Sequence, residues 1–120
     1  MIEGTFRDDW PYVTLTVIGE QDTVEVDFIV DTGFGGALAL PDEFLQRIGA
    51  NYTGSDRYSL ADGTVRRFGI AEVRIAEAEE ERDFIVLAKE GRPLVGIDFF
   101  REQHLHMEVT EGGAVLAEAI

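Results

Sequence analysis

Residues 28 to 40 constrain this chain more than any other stretch, because an apolar strand runs directly into an acid, a hydroxyl and a glycine. Phe28-Ile29-Val30 are typical of a buried strand, and Asp31-Thr32-Gly33 follow at once. A second short apolar run, Leu38 to Leu40, follows a glycine-rich turn. A carboxylate that rises from a core is costly unless it is hydrogen-bonded or paired. Asp31 is therefore either held by local backbone donors or used in chemistry.

The strand that delivers Asp31 is predicted to be the second strand of a β-hairpin. Residues 12 to 18 and 23 to 30 alternate between apolar and polar side chains, and Gly19-Glu20-Gln21-Asp22 separates them. Alternation with period two indicates strands with one buried face. The short strand Leu38 to Leu40 then leads into a predicted helix from Pro41 to Gly49, with Asp42 as its N-terminal cap.

The rest of the chain consists of short apolar runs between turns. Residues 58 to 68 predict a second hairpin, in which Asp62-Gly63 is the preferred pair for a two-residue type I′ turn. The second strand of this hairpin is predicted to continue through residues 69–75, and an acidic solvated turn follows at 76–82. Further strands are predicted at residues 84–87, 94–96, 105–109 and 114–120, with a short helix at 98–103. The pattern indicates an all-β barrel or sandwich with one or two short helices. At 120 residues, the chain is expected to be one domain, 1–120.

The sequence also contains a weak internal repeat. A shift of 56 positions gives seven identities in the 21 positions from 28 to 48, and Phe28-Ile29-Val30 falls on Phe84-Ile85-Val86. The repeated unit is a strand, a turn, a short strand and a short helix. Asp98 falls on Asp42 in this shift, so Asp98 is interpreted as a second helix cap and not as a second catalytic acid. Asp31 falls opposite Leu87, so one chain carries one such carboxylate.

Composition excludes several function classes. The chain has 24 acidic and 10 basic residues, a formal net charge of −14, and no cysteine. Such a surface repels phosphate backbones, so nucleic-acid binding is not expected, and thiol chemistry is excluded. The acidic, lysine-poor surface is typical of general solubility, with adaptation to high salt as the alternative. An acidic N-terminus and the lack of a long apolar run predict a soluble, cytoplasmic protein without a membrane segment.

Three motifs in order carry a resemblance to a known family. Asp31-Thr32-Gly33 follows a strand, the Asp62-Gly63 hairpin comes next, and Leu94-Val95-Gly96 completes the series. The chain resembles the retropepsin-like aspartic proteases, and among them the small prokaryotic single-domain members with phenylalanine after Asp-Thr-Gly. The resemblance extends from about Tyr12 to Ile120.

This resemblance implies a closed acid-protease β-barrel with a pseudo-twofold repeat that works as a homodimer on a peptide or protein substrate. Asp31 of each subunit would form the catalytic pair, Thr32 would brace the two loops, and Gly33 would let the backbone approach the substrate. The hairpin from Leu60 to Arg66 would be the flap that closes over the peptide, and the final strand, within 114–120, would join the dimer sheet. No cofactor is implied. The residues expected to contact substrate are Phe34, Gly35, Leu60, Ala61, Asp62, Gly63 and Val65.

The predicted activity is hydrolysis of peptide bonds by a water that the paired Asp31 carboxylates activate. Most family members have Ser or Thr where this chain has Phe34, and that hydroxyl donates a hydrogen bond to the aspartate. An apolar ring in its place disfavours the charged form, which predicts a pH optimum nearer neutral. The alternative is an inactive dimeric peptide-binding or assembly module on the same fold, because a fold does not fix a function.

Smaller features are interpreted as structural. His104 and His106 would share one face of a strand, where surface histidines are favoured over a metal pair, so no metal site is predicted. Trp10-Pro11-Tyr12 is interpreted as the edge of the core, with substrate contact as the alternative. Leu40, Ala61 and Val65 are candidates for pocket walls.

Overall fold

The computed structural model describes residues 1–77 and 80–120 of the chain. Ten strands, one α-helix and one 3-10 turn follow each other along it. The strands are β1 (Ile2–Arg7), β2 (Trp10–Ile18), β3 (Thr23–Asp31), β4 (Leu38–Leu40), β5 (Asn51–Ser59), β6 (Val65–Glu77), β7 (Glu80–Ala88), β8 (Leu94–Gly96), β9 (Gln103–Met107) and β10 (Ala114–Ala119), with helix α1 (Asp42–Ile48) and the 3-10 turn Ile97–Phe100. The predicted all-β class is confirmed.

Six of the strands close into a barrel. Hydrogen-bonded neighbours run in the order β6, β7, β4, β8, β3 and β2, and β2 pairs again with β6 to close the ring. The closing contact aligns Thr16 with Ala76 and Ile18 with Arg74. Closure leaves these strands without free edges, so the barrel satisfies its own backbone donors and acceptors.

The alternating pattern of β2 and β3 places one face of the first hairpin in the core. Val13, Leu15 and Val17 of β2 are buried, as are Val26 and Phe28 of β3. Aromatic side chains also belong to the core cluster, in which the Phe99 ring lies 4.8 Å from the Phe84 ring and 5.1 Å from the Phe100 ring. Ring pairs at this spacing add to the free energy gained by burial.

The internal repeat is visible in the pairing of the strands. After β3 the chain turns into β4 and α1, and after β7 it turns into β8 and the 3-10 turn. The two units then exchange partners, because β3 pairs in parallel with β8, and β4 pairs in parallel with β7. Each short strand therefore lies beside the long strand of the other unit, and the two turns meet at one end of the barrel.

Three segments differ from the sequence-based prediction. Residues 51–57, for which no strand was predicted, belong to β5. The N-terminus forms β1, which was not predicted, and β1 lies between β2 and β10. The acidic segment 76–82 was predicted to be a solvated turn, but Ala76 and Glu77 extend β6, and Glu80 to Arg82 begin β7. Cross-strand pairing of Glu77 with Glu80 and of Ala76 with Glu81 outweighs the charge pattern. Ala78 and Glu79, which belong to the same prediction, lie outside the described residues.

The predicted helix caps are also wrong. Pro41 occupies the N-terminal cap position of α1, and Gly96 occupies that of the 3-10 turn, with no side-chain cap hydrogen bond in either case. Asp42 instead accepts hydrogen bonds from Gln46 and from the Tyr52 hydroxyl. Asp98 forms an ion pair with Arg101. Both acids lie in the first turn, as predicted, and a negative charge is favoured there by the helix dipole. Their hydrogen-bond partners are other side chains instead of the backbone N–H groups that a cap would bind.

The remaining strands extend the sheet beyond the barrel. β10 pairs with β1 on one side and with β9 on the other. The expectation that the final strand joins a dimer sheet is therefore not met in this structure, since both edges of β10 are occupied within the chain. Within the described ranges, no helix is long and apolar enough to cross a membrane.

Candidate active site

Asp31 is the last residue of β3 and lies beside Gly96 in the parallel pairing with β8. The Gly33 backbone N–H donates to Asp31 Oδ1 at 3.0 Å, and the Phe34 N–H donates to the Asp31 carbonyl oxygen at 3.1 Å. A tight turn therefore holds the carboxylate at the strand end through local backbone donors. The side chain is only half-buried, so it remains open to a bound molecule.

Glycine at position 33 matters for this geometry. A Cβ added to Gly33 would lie 3.3 Å from Asp31 Oδ1, which is tighter than usual contacts of side-chain carbon atoms. A side chain at position 33 would therefore press on the Asp31 carboxylate and require a small shift of it. Thr32, between these two residues, is exposed.

The second repeat unit supports the loop that follows Asp31. The Gly96 N–H donates to the Ala37 carbonyl oxygen at 2.8 Å, and the Ile97 N–H donates to the Phe34 carbonyl oxygen at 3.0 Å. A Cβ on Gly96 would lie 2.2 Å from the Gly36 carbonyl oxygen. Only glycine allows this approach, because the obstructing atom belongs to the backbone.

A groove of about 500 Å³ opens between the Asp31 loop and the hairpin of β5 and β6. The groove combines one carboxylate with mainly apolar and aromatic walls, as expected for a site that binds part of a larger ligand. Its lining residues are Asp31, Gly33, Phe34, Tyr58, Ser59, Leu60, Ala61, Phe68, Leu87, Lys89 and Leu94.

Phe34 connects the Asp31 loop to the hairpin. Its ring centroid lies 6.2 Å from that of Tyr58 on β5, with the two rings tilted by 51°. The same ring covers Gly36, where an added Cβ would lie 2.7 Å from Phe34 Cζ. Burial raises the pKa of Tyr58, and the negative charges of Asp56 and Asp98 raise it further. Tyr58 therefore faces the groove as a neutral phenol at ordinary pH.

The tip of the hairpin differs from the predicted turn. Leu60 N–H donates to the Thr64 carbonyl oxygen at 2.8 Å, and Gly63 N–H donates to the Leu60 carbonyl oxygen at 2.9 Å. Gly63 has a φ of 85° and Asp62 has no positive φ, whereas a type I′ turn needs a positive φ at both central residues. The loop is therefore three residues long and closed by a glycine bulge. Hydrogen bonds from the Thr64 N–H and hydroxyl lower the pKa of Asp62.

The structure brings together some of the predicted site residues. Asp31, Gly33 and Phe34 meet Leu60 and Ala61 across the groove. The other predicted contact residues do not line it, namely Gly35, Asp62, Gly63 and Val65. Leu40, a candidate pocket wall, has no exposed surface and belongs to the core.

Several groove residues were not predicted. Tyr58 and Phe68 come from the strands of the hairpin rather than from its tip, and Lys89 comes from the turn after β7. A neighbouring cavity of about 380 Å³ also includes Asp31, together with Trp10 and Arg92. Trp10 is 47 % exposed and lines this cavity, whereas Pro11 and Tyr12 are half-buried. Lys89 is the one lysine of the sequence, and this rarity could have identified position 89 as a candidate site residue.

The two histidines lie apart from this site. His104 and His106 are exposed on β9, opposite Glu118 and Leu116 of β10. Within residues 1–77 and 80–120, no three histidine or acidic side chains come close enough to hold a metal ion.

Comparison with known proteins supports the fold. No protein-family model matches the chain, and no curated protein matches its sequence. Among solved structures, the chain is similar to a retropepsin-like aspartic protease from Rickettsia conorii, with 16 % sequence identity and a TM-score of 0.55. The match covers 98 % of this chain and 91 % of the other. The structural match shows that the chain has a retropepsin-like fold. A match with such low sequence identity does not establish an activity, which has to be argued from the site itself.

Proposed function

We propose that this protein is a homodimeric aspartic endopeptidase in which two copies of Asp31, one from each subunit, hydrolyse a peptide bond. The observation that carries the proposal is the position of Asp31. It ends a barrel strand, is oriented by the Gly33 N–H at 3.0 Å, and opens on a groove beneath a hairpin. A half-buried carboxylate in a cleft is a candidate for catalysis rather than for structural support.

A second chain is required because the groove of one chain supplies one acid. Asp31 is the one acidic residue among those that line the groove in the described part of the chain. Its counterpart in the second repeat unit is Leu87, which is 2 % exposed. Two-carboxylate chemistry therefore needs another copy of β3, and a twofold axis next to the exposed Thr32 would supply it.

The chemistry follows from two carboxyl groups held close together. Two carboxylates about 3 Å apart cannot both ionise, so the pair holds one proton and titrates in two separate steps, as the paired aspartates of pepsin do. The ionised member would take a proton from a bound water, whose oxygen attacks the peptide carbonyl carbon. The protonated member would donate to the carbonyl oxygen. When the tetrahedral intermediate collapses, the C–N bond breaks and the amine takes the proton that the first carboxylate received from water. A hydroxyl of the intermediate returns its proton to the other carboxylate, so the pair again holds one proton.

The groove suits an extended peptide. The hairpin of β5 and β6 borders it on one side, and the Asp31 turn with Gly33 borders it on the other. An extended chain can bind in such a site through main-chain hydrogen bonds, with alternate side chains in pockets. Phe34 and Tyr58 would then contact the side chains nearest the cleaved bond.

The primary test is cleavage of a mixture of unstructured peptides, read by mass spectrometry, by the wild type and by Asp31→Asn. The wild type should cleave, and Asp31→Asn should lose at least about 10³-fold in rate, the scale of acid–base catalysis. Asp22→Asn is a matched control, because Asp22 is an exposed turn acid that lines neither cavity. Binding of peptides without any cleavage by the wild type would instead indicate the inactive binding module.

A further inference from the structure

Two cationic side chains lie beside Asp31 and have no role in the proposed chemistry. Lys89 lines both the groove and the neighbouring cavity, and Arg92 lines that cavity with Trp10 and Leu94. The backbone of Lys89 is fixed, because its N–H donates to the Leu40 carbonyl oxygen at 2.9 Å. Both residues belong to the turn between β7 and β8.

Neither of these two residues forms an ion pair with the acids near it in the described part of the chain. The ion pairs among described residues involve Arg7, Arg74 and Arg101, three of the ten basic residues. Lys89 and Arg92 are distinguished from the other unpaired cations because they line one cavity together with Asp31. Neither residue forms an ion pair with Asp31 itself. Arg66 joins Lys89 in a third adjacent cavity of about 350 Å³, whose one acidic lining residue is Glu90.

The cavity that Lys89 and Arg92 share combines apolar and charged side chains. Trp10, Ile29 and Leu94 are apolar lining residues, and the two cations line the same cavity with Asp31. An acidic side chain has methylene groups that can contact the apolar residues and a carboxylate that can pair with the cations. Hydrogen bonds that join two charged groups are stronger than neutral ones, and strongest where water is partly excluded.

We propose that Lys89 and Arg92 form a subsite that binds a glutamate or aspartate side chain of the peptide close to the cleaved bond. This inference rests on the proposed function, since it assumes a peptide in the groove. It also explains how a protein with a net charge of −14 could accept an acidic peptide, because these cations offset repulsion at the site.

The test compares peptide pairs that differ by one residue, Glu against Gln, at each position flanking a cleaved bond, with both termini of each peptide capped. Capping removes the terminal carboxylate, so a preference reports on the side chain. The wild type should prefer Glu over Gln about tenfold in kcat/KM at one position. The double variant Lys89→Met/Arg92→Gln should abolish that preference. The double variant Lys89→Glu/Arg92→Glu should instead prefer a peptide with Lys at that position. Arg47→Gln is the control, because Arg47 is exposed on α1 and lines none of these cavities.

A second measurement separates this proposal from the proposed function. Binding of the same Glu and Gln peptides is measured on Asp31→Asn, which needs no turnover. Cleavage without a Glu preference overturns the subsite and leaves the peptidase intact. A Glu preference in binding without cleavage by the wild type supports the subsite and overturns the peptidase. Neither binding nor cleavage of any peptide overturns both, and loss of the preference in Arg47→Gln as well overturns the assignment to Lys89 and Arg92.

Discussion

The two turns that meet at the end of the barrel occupy equivalent positions in the two repeat units but carry different side chains. The turn after β3 carries Asp31, whose carboxylate is held by the Gly33 N–H. The turn after β7 has Leu87 in the corresponding position, followed by Lys89 and Arg92. Both turns lead into a three-residue strand that pairs in parallel with the long strand of the other unit.

The difference shows how one framework supports two tasks. The first turn presents an acid, and the second supports that turn from behind and supplies cations to its side. Gly96 illustrates the division, because its counterpart in the first unit is Leu40, a fully buried core residue. Glycine is needed at 96 since the backbone of the first turn lies against it, while at Leu40 no such approach occurs.

The largest expected effect compares the two equivalent positions 31 and 87. Asp31→Asn should remove cleavage while the denaturation midpoint stays near that of the wild type, because the half-buried side chain contributes chemistry rather than packing. Leu87→Ala should lower the free energy of unfolding by about 2–5 kcal/mol. Because Leu87 also lines the groove, cleavage per folded molecule should fall somewhat, but far less than in Asp31→Asn. Chemical denaturation and peptide cleavage on the same samples measure both. Equal loss of activity in the folded fraction of both variants would remove the distinction.

Gly96 and Gly35 provide the second comparison. Gly96→Ala forces a Cβ against the Gly36 and Phe34 carbonyl oxygens, which cannot move without displacing the Asp31 loop. We expect a loss of about 3 kcal/mol in the free energy of unfolding, at the upper end for overpacking. An added Cβ at Gly35 has nothing within 4 Å, so Gly35→Ala should leave the unfolding free energy nearly unchanged. Comparable destabilisation by both would contradict the support that β8 gives to the loop.

A third comparison uses the two first-turn acids, Asp42 and Asp98. Burial raises the pKa of Tyr52 to about 12, with further contributions from its hydrogen bond to Asp42 and from the Asp42 charge. A pKa above the unfolded value of 10.0 means that this stabilisation is complete below pH 10 and is lost as the pH rises towards 12. The wild type should therefore lose stability more steeply than Tyr52→Phe across this interval, as followed by thermal unfolding. Parallel pH profiles would contradict the Tyr52–Asp42 contact.

The smallest effect is expected at Asp98. Its partner Arg101 is highly exposed and stays charged throughout the accessible pH range. Because water and salt screen exposed pairs, Asp98→Asn should leave the thermal midpoint within experimental error of the wild type. A clear loss of stability would show that Asp98 has a further partner, and would weaken the contrast with Asp42.

Much of the fold could be predicted because its signals are local. The β2–β3 hairpin follows from alternation in residues 12–30, and the repeat of strand, turn, short strand and helix follows from the 56-residue shift. The strand β1 forms a local hairpin with β2, but it was missed because the two turn residues, Asp8 and Asp9 at φ 50° and 69°, include no glycine to mark the turn. The other neighbour of β1 is β10, more than 100 residues away. The extension of β6 and β7 into acidic residues was missed because cross-strand pairing outweighs a charge pattern that indicates solvent.

The candidate site was predictable where one segment forms it and not where several segments meet. Asp31, Gly33 and Phe34 belong to one turn, so the motif identified them together. Lys89 and Arg92 reach the same place only because β7 and β8 exchange partners with β4 and β3. The residues of the hairpin that were predicted to contact substrate lie at its tip, because the Asp62-Gly63 pair indicates a two-residue turn there. In the structure, Tyr58 and Phe68 from the strands of the hairpin also line the groove.

Mixing of active and inactive subunits tests the central claim most directly. A fixed amount of wild type is refolded together with increasing amounts of Asp31→Asn, and cleavage is measured. If the catalytic pair is shared between chains, activity falls in proportion to the wild-type fraction, to about half at equal amounts and about one tenth at ninefold excess. Activity that stays constant as the inactive subunit is added would show that one chain acts alone, and would contradict the shared pair of aspartates.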